Sequence, residues 1–400
     1  MFSTKERLLL GTLAGAKFTH IMDFMIMMPL APQLMRIFGI DAQQFGILVS
    51  SYTFSAGIIG FLGAFVIDRF DRKKALLFAY VGFVVGTFLC GLANSYGQLM
   101  LARIFTGMFG GVLNALVLSI IGDSFQLKKR ASAMGVVMAA FSAAAALGVP
   151  FGIYVAATWS WNYPFLILGA MSLVVLFGIL FVVPPLSQHL DHIKPKTAPW
   201  TVVTRIAQNP NQLRALALKM FLVLGQFMII PFIAPYMVGN IGFSELELTY
   251  IYLLGGFLTL FTGPIIGRWA DRYGHKRTFM VFASLSILPI LMITHLPSWG
   301  MLFALLSTSL FFILISGRII PAITMEISSV HPEYRAGFMS ISSALQQMSA
   351  GLAALIGGSI VIETASKTIL QFNYIGYIAV ALTLLSMYMA RRVRAVEEKK

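Results

Sequence analysis

The sequence predicts an all-α membrane protein: twelve transmembrane helices in two pseudo-symmetric six-helix bundles, with both termini cytoplasmic. Composition gives the first reason. Of 400 residues, 58% are hydrophobic and only 11% charged, against about 25% charged in a soluble domain. Apolar runs of ~20 residues, enough to cross a hydrocarbon core of roughly 30 Å, recur along the chain. The second reason is a repeat. An acidic–basic turn, Asp68-Arg69-Phe70-Asp71-Arg72-Lys73-Lys74, returns 203 positions later around Asp271-Arg272-Tyr273-Gly274-His275-Lys276-Arg277. Duplication of one bundle is how many secondary transporters are built. The third is the placement of Lys and Arg. With the N-terminus inside, 23 of them fall on cytoplasmic segments and 2, Arg36 and Lys367, on outer loops. That bias sets orientation. It also explains the net charge of +14, which in a soluble protein would suggest nucleic acid and here does not.

The predicted spans are 8–37, 43–67, 75–94, 97–123, 132–157, 163–184, 214–239, 246–267, 278–295, 298–325, 337–363 and 369–390. Helices are expected because only they satisfy the backbone within one segment in lipid. Pro29, Pro32, Pro150, Pro231, Pro235, Pro264 and Pro321 mark expected bends. Lys5 and Arg7 before an apolar run resemble a signal peptide, but the run is too long and has no clear cleavage site, so a retained first helix is expected. Residues 1–185 form the predicted N-terminal bundle, 186–213 a polar cytoplasmic linker, and 214–400 the C-terminal bundle. Within the linker, residues 200–207 suit a short interfacial helix. Cys90 is the lone cysteine, so no internal disulfide is possible.

The halves align at one offset over several elements. Phe24-Met25-Ile26 matches Phe227-Met228-Ile229, Ala31-Pro32 matches Ala234-Pro235, and Gly39 matches Gly242, all 203 apart. Arg130-Ala131 and Met134 match Arg335-Ala336 and Met339 at 205.

Gly267, Asp271, Arg272, Gly274, Lys276 and Arg277 fit the loop signature that follows helix 2 in the major facilitator superfamily, and the chain resembles that family over essentially its whole length. The first copy keeps Asp68, Arg69, Lys73 and Lys74 but has Ala64 and Asp71 where the signature has glycine, which implies a less tight turn. Arg103-Ile104-Phe105-Thr106-Gly107 is similar to the family's helix 4 signature. Gly148-Val149-Pro150-Phe151-Gly152 resembles that of the sugar-efflux and drug–proton antiporter branch. Trp161-Asn162-Tyr163-Pro164-Phe165 lacks the Arg this branch carries after the Trp. The resemblance implies two bundles rocking about a central site. It also implies inner charge networks that latch the outward-facing state: Asp68, Arg69, Arg72 and Asp123 in one half, Asp271, Arg272 and Glu326 (near His275) in the other. The alternative is solvated charges that only set topology.

An ionisable group in mid-membrane costs ~2.5–3.5 kcal/mol on insertion scales and so marks a candidate site. Lys17, His20 and Asp23 are spaced by three along helix 1. Asp23 lies about 22 Å from the inner end and Arg103 about 9 Å from the outer end of helix 4, depths that coincide. The reading is that Asp23 exchanges the coupling proton and Arg103 pairs with it; a static pair that fixes packing is the alternative. His20 suits a proton relay or simple packing. Lys17 suits pairing with Asp23, binding an anionic solute, or snorkelling. Gln226 holds Asp23's place in the second half. Arg318 suits anion binding, gating or a structural pair. Asn114 is a further cavity candidate, and Lys219 is expected to snorkel.

The expected function is proton-coupled efflux, by antiport, of a small amphipathic or sugar-like solute. Uptake by symport and a non-transporting receptor or scaffold are the alternatives. The chain has no nucleotide-binding glycine loop, metal cluster or nucleophile–base pattern, so neither an enzyme nor a cofactor or metal is expected, only a proton gradient. The expected partners are a small solute, protons and lipid, with a monomer in a bacterial inner membrane.

Overall fold

The computed structural model describes residues 2–66, 69–187, 199–297, 300–331 and 334–396. Among these described residues there are sixteen α-helices, two π-turns and one hairpin of two-residue strands. In chain order the helices are α1 (Thr4–Ile26), α2 (Ala31–Phe38), α3 (Ala42–Val66), α4 (Arg72–Gly91), α5 (Tyr96–Ser124), α6 (Leu127–Ala143), α7 (Val149–Thr158) and α8 (Tyr163–Val182). Then follow α9 (Pro199–Ala207), α10 (Pro210–Phe227), α11 (Ile230–Tyr236), α12 (Leu248–Tyr273), α13 (His275–Thr294), α14 (Met301–Ser328), α15 (Arg335–Ile360) and α16 (Phe372–Arg392). Among the described residues ten segments are long and apolar enough to cross a membrane, or eleven if α1 and α2, bent by 57°, form one span. The remaining predicted span, 337–363, is α15. It has 26 residues, but Ser340, Ser342, Ser343, Gln346, Gln347 and Ser349 make it too polar to qualify by composition. Helix α9 occupies the place predicted for the linker helix.

Two departures from the predicted spans have local causes. The last residues of the 337–363 span and the first of the 369–390 span are not helical but form strands β1 (Ile362–Glu363) and β2 (Ile369–Leu370). They pair antiparallel, Ile362 with Leu370 and Glu363 with Ile369. The Asn240 side chain fixes this hairpin, donating to the Ile369 carbonyl at 2.9 Å and accepting from its N–H at 2.8 Å. The second departure is a π-turn at Ala144–Gly148, just before Pro150. Proline cannot donate and crowds the carbonyl four residues back, and a wider turn relieves both.

The chain divides into two compact units, Met1–Met27 with Ser51–Lys196, and Met28–Ser50 with Thr197–Lys400. In the first, Leu13, Ala16, Tyr80, Phe83, Leu116 and Ile120 form the core. In the second, Leu218, Leu222, Phe279, Ala283, Phe338 and Ala390 do. Large apolar side chains such as Phe181 and Leu302 stand exposed at 78% and 73%, as expected where lipid replaces water. Glycine sets the approach of helices. A Cβ on Gly60 would lie 2.9 Å from the Gly111 carbonyl oxygen, one on Gly358 2.8 Å from that of Ala42, and one on Gly152 2.7 Å from Met22 Cε. The helix 5 signature thus lets α7 lie against α1, the helix that carries Asp23.

The duplication is visible in the backbone. Gly39 closes α2 at φ 61° and Gly242 closes the turn after α11 at φ 86°, both left-handed. The two acidic–basic turns differ. Gly274 adopts φ 91° ahead of α13, whereas Asp71 sits at φ −54° and caps α4 through its side chain. The Asp71 carboxylate also accepts from the Leu186 N–H at 2.7 Å. Asp71 therefore avoids the left-handed region altogether, and the expected looser glycine-type turn is replaced by a capped helix start.

Gly39→Ala and Gly242→Ala should each lower the thermal unfolding midpoint, by about 1 kcal/mol of stability, because alanine is strained at positive φ. Gly11→Ala, inside α1 with open space around it, should leave the midpoint unchanged or raise it. Scanning fluorimetry of the three variants in one detergent checks this.

A buried charge cluster as the candidate functional site

Helix α1 runs unbroken to Ile26 and then turns through Met27–Leu30 before α2. Pro29 and Pro32 enforce the break, since neither supplies an N–H. Asp23 lies one turn before it, with no exposure. Its Oδ2 accepts from Arg103 Nη1 at 2.7 Å, and its Oδ1 accepts from the Thr87 hydroxyl at 3.2 Å. Arg103 Nη1 also reaches the Asp23 carbonyl at 3.3 Å. The guanidinium carbon stands 4.1 Å above the Tyr52 ring. Four helices, α1, α3, α4 and α5, thus meet at one ion pair whose side chains are 0% and 1% exposed.

The helix 4 signature explains how Tyr52 gets under Arg103. Gly107 is one turn beyond Arg103, and any side chain there would strike Ser55 and the Tyr52 backbone of α3. With glycine, α3 comes close enough for a cation–π contact. Phe24 packs on the same tyrosine, its ring centroid 5.6 Å from that of Tyr52.

One turn further along α1, a second polar group forms. Lys17 donates its ammonium to the Asn114 side-chain oxygen of α5, not to Asp23. Between these two groups lie His20 and Gly110. A Cβ on Gly110 would be 2.7 Å from the Tyr52 hydroxyl and 3.2 Å from His20 Nε2. Among the described residues neither ring nitrogen of His20, nor the Tyr52 hydroxyl, has a hydrogen-bond partner. Two unpartnered buried atoms, His20 Nε2 and the Tyr52 hydroxyl, therefore flank Gly110 where α1, α3 and α5 meet.

In the second unit Gln226 is half-buried at the end of α10, where that helix breaks as α1 does. Arg318 is 1% exposed. Its Nη1 donates to Ser286 at 3.2 Å and to Thr383 at 2.9 Å, and among the described residues no carboxylate pairs with it.

The predicted latch residues separate. Asp68 lies outside the described residues. Arg69 is exposed. Arg72, 8% exposed, donates Nε to Asp123 at 3.2 Å, so this part of the first network is present. The second is built differently from expectation. Glu326 does not meet Asp271, Arg272 or His275. It is 2% exposed and pairs with Lys219 of α10 at 3.1 Å, while the Ser342 hydroxyl of α15 donates to its other oxygen. Lys219 does not snorkel; it spans Glu326 and Ser342, the latter at 2.9 Å. The reason is helix geometry: Glu326 points into α10 and α15, and an ammonium there neutralises a carboxylate that the bundle has stripped of water. Among the described residues Asp271 pairs only with His275, at 3.9 Å, and Arg272 lies over Tyr273. Tyr52, Thr87, Ser286, Thr383 and Ser342 were not singled out by the sequence, because a hydroxyl in an apolar run has no spacing that marks it.

Apolar helices in two sequence repeats, the first holding a buried ion pair at a helix break, fit a multi-pass membrane transporter. The Major Facilitator Superfamily profile matches residues 13–224 and again 215–400, and the chain belongs to that family. It is a membrane transporter of this type. An uncharacterized MFS-type transporter, YceJ of Bacillus subtilis (strain 168), is 24% identical over 84% of this chain and 85% of its own length. The putative transporter AraJ of Escherichia coli (strain K12) is 25% identical over 64% of this chain and 63% of its own. Among solved structures, a D-xylose–proton symporter superposes with a TM-score of 0.77 at 17% identity, over 95% of this chain and 96% of that one. A single-site mutant of the nucleoside transporter NupG also gives 0.77, at 13% identity, over 97% and 99%.

Arg103→Gln should destabilise the protein by roughly 3–5 kcal/mol, the cost of stranding a buried carboxylate. The double variant Asp23→Asn/Arg103→Gln should recover much of that loss. Thermal unfolding of wild type, both single variants and the double variant closes the cycle.

Proposed function

We propose that this transporter is a proton-coupled exporter, exchanging protons for a small solute by alternating access in a bacterial plasma membrane, with Asp23 as the proton carrier. The carrying observation is that Asp23 is fully buried at a helix break and that one cation and one hydroxyl hold both of its oxygens. Protonation of that carboxyl removes its charge and its ion pair with Arg103. Arg103 then keeps the Asp23 carbonyl and the Tyr52 ring, and the α1–α5 contact weakens. A two-state packing of α1 against α5 is what links proton occupancy to conformation. His20 and Tyr52, one turn away, serve as solute or proton contacts. Lys17 and Asn114 continue the polar path along α1.

Within the second unit, Glu245 accepts from Gln33 at 2.6 Å and pairs with Arg36. Nearby, Gly46 of α3 meets the Ala354 backbone of α15. These contacts tie the first repeat's segment Met28–Ser50 to the second repeat inside that one unit. The helix 5 glycine–proline signature supports export. The likeness to a D-xylose–proton symporter favours the second reading, uptake in which proton and solute move together. Neither reading involves an enzyme activity, a cofactor or a metal, and a monomer suffices for both.

In reconstituted vesicles with an imposed pH gradient, Asp23→Asn should abolish proton-coupled solute flux while the protein remains folded. Solute and proton moving in opposite directions supports export, and the same direction supports symport. Full activity in Asp23→Asn sinks the carrier role, and solute binding without any flux in the wild type favours a receptor.

A further inference from the structure

We propose that Arg318 is a carboxylate-binding site, so that the solute class is a small organic acid bound through its carboxylate. This names the solute for the transport proposed above, but the binding it requires does not involve Asp23.

The site is built by three helices of the second unit. Arg318 lies 17 residues into the 28-residue helix α14, about 15 Å from its far end at 1.5 Å per residue, and so near mid-membrane. Ser286 of α13 and Thr383 of α16 are both buried, and their hydroxyls accept from one guanidinium nitrogen, Nη1. These hydroxyls are themselves anchored, Ser286 donating to the Ala283 carbonyl and Thr383 to that of Ala379, each at 2.8 Å. The guanidinium plane is therefore held from one side. Its other edge carries Nε and Nη2. Both are buried, and among the described residues neither has a hydrogen-bond partner.

Which atoms are satisfied matters. Nε and Nη2 share one edge of the guanidinium, with parallel N–H bonds spaced to match the two oxygens of a carboxylate. The anchored Nη1 is the nitrogen outside that fork. A merely structural arginine would bring its fork to carbonyls or an acid. Here the described carboxylate nearest in sequence is engaged elsewhere, Glu326 with Lys219. The fork lies out of water, since Arg318 is 1% exposed. In such a medium a charged fork discriminates strongly for a planar anion over a neutral isostere, because only the anion satisfies both donors and the charge together.

The full-length protein in lipid nanodiscs, in chloride-free buffer at fixed ionic strength and pH near 7, is titrated with two matched pairs, acetate against acetamide and benzoate against benzamide, and separately with chloride. The readout is the unfolding midpoint. The expected result is a saturable rise with the carboxylates, none with the amides, and a weaker response to chloride. Arg318→Lys, which keeps the charge but loses the fork, should weaken carboxylate binding at least tenfold. Arg318→Gln should remove it. The double variant Ser286→Ala/Thr383→Ala should weaken it several-fold, and it guards against misfolding of the arginine variants. Equal responses to amides, or an unchanged response in Arg318→Lys, would overturn the site. Equal midpoints for chloride and carboxylate would reduce it to an inorganic counterion site and overturn the solute class. Proton-coupled flux in a wild type that shows no carboxylate response overturns this inference and leaves the transport reading standing. Carboxylate binding without flux does the reverse.

Discussion

The ion pair between Asp23 and Arg103 is the interaction on which the first unit depends. Two charges taken out of water can be tolerated in a bundle only together, since their attraction in a low dielectric must offset the hydration both have lost. The pair therefore constrains everything that touches it. Helix α1 must present Asp23 on the α5 side, which fixes its rotation. Helix α4 must bring Thr87 to the second carboxylate oxygen. Helix α3 must approach α5 closely enough to lay Tyr52 under the guanidinium, which is why Gly60, Gly107 and Gly111 line that crossing. A single proton on Asp23 removes the charge that justifies this arrangement. Such a pair is poor evidence for stability and better evidence for a switch.

The duplicated halves keep their backbone and redistribute their charges. Gly39 and Gly242 hold the same left-handed cap, and each repeat breaks its first helix at the same apolar triplet. Side chains at matched positions have diverged. Asp23 is matched by Gln226, which cannot titrate. Lys219 is matched by Ala16, and Glu326 by Asp123, at the same offset of 203. In the first repeat, with alanine at that place, Asp123 stays at the inner end and meets Arg72. In the second, the lysine draws Glu326 inward and ties α10, α14 and α15 together. The matched carboxylate is thus a partner of Arg72 at the inner end in one repeat and a buried partner of Lys219 in the other.

Much of the fold was legible in the sequence, because apolar run length, proline and the placement of Lys and Arg act locally. The Asp23–Arg103 pair was legible too: two ions at matching depth on helices of one bundle have few other partners. What escaped has a physical reason. The hairpin of β1 and β2 depends on Asn240, more than a hundred residues away in sequence. Asp71 was expected to give a less tight turn, but its side chain offered a cap instead, and the same carboxylate accepts from the Leu186 N–H. Hydroxyl partners such as Thr87, Ser286 and Thr383 are invisible to pattern, since threonine and serine in a buried helix usually bond back to their own preceding turn. Glu326 was assigned by its position at a helix end, and a neighbour on another helix decided otherwise.

Charge balance distinguishes the two units in a final respect. In the first, the buried arginine has its carboxylate within the protein. In the second, Lys219 and Glu326 neutralise one another, leaving Arg318 with hydroxyls on one nitrogen and none of the described acids on its fork. A hydroxyl orients a guanidinium but cannot cancel its charge, so the second unit holds a cation whose counter-ion the chain does not supply among the described residues. Packing alone does not call for such an arginine, because a leucine or methionine of similar volume costs less in a membrane. Its presence beside two anchored hydroxyls follows if the missing charge arrives with the solute: the unit that carries no titrating acid at the matched position then recognises what the unit that does is driven to move.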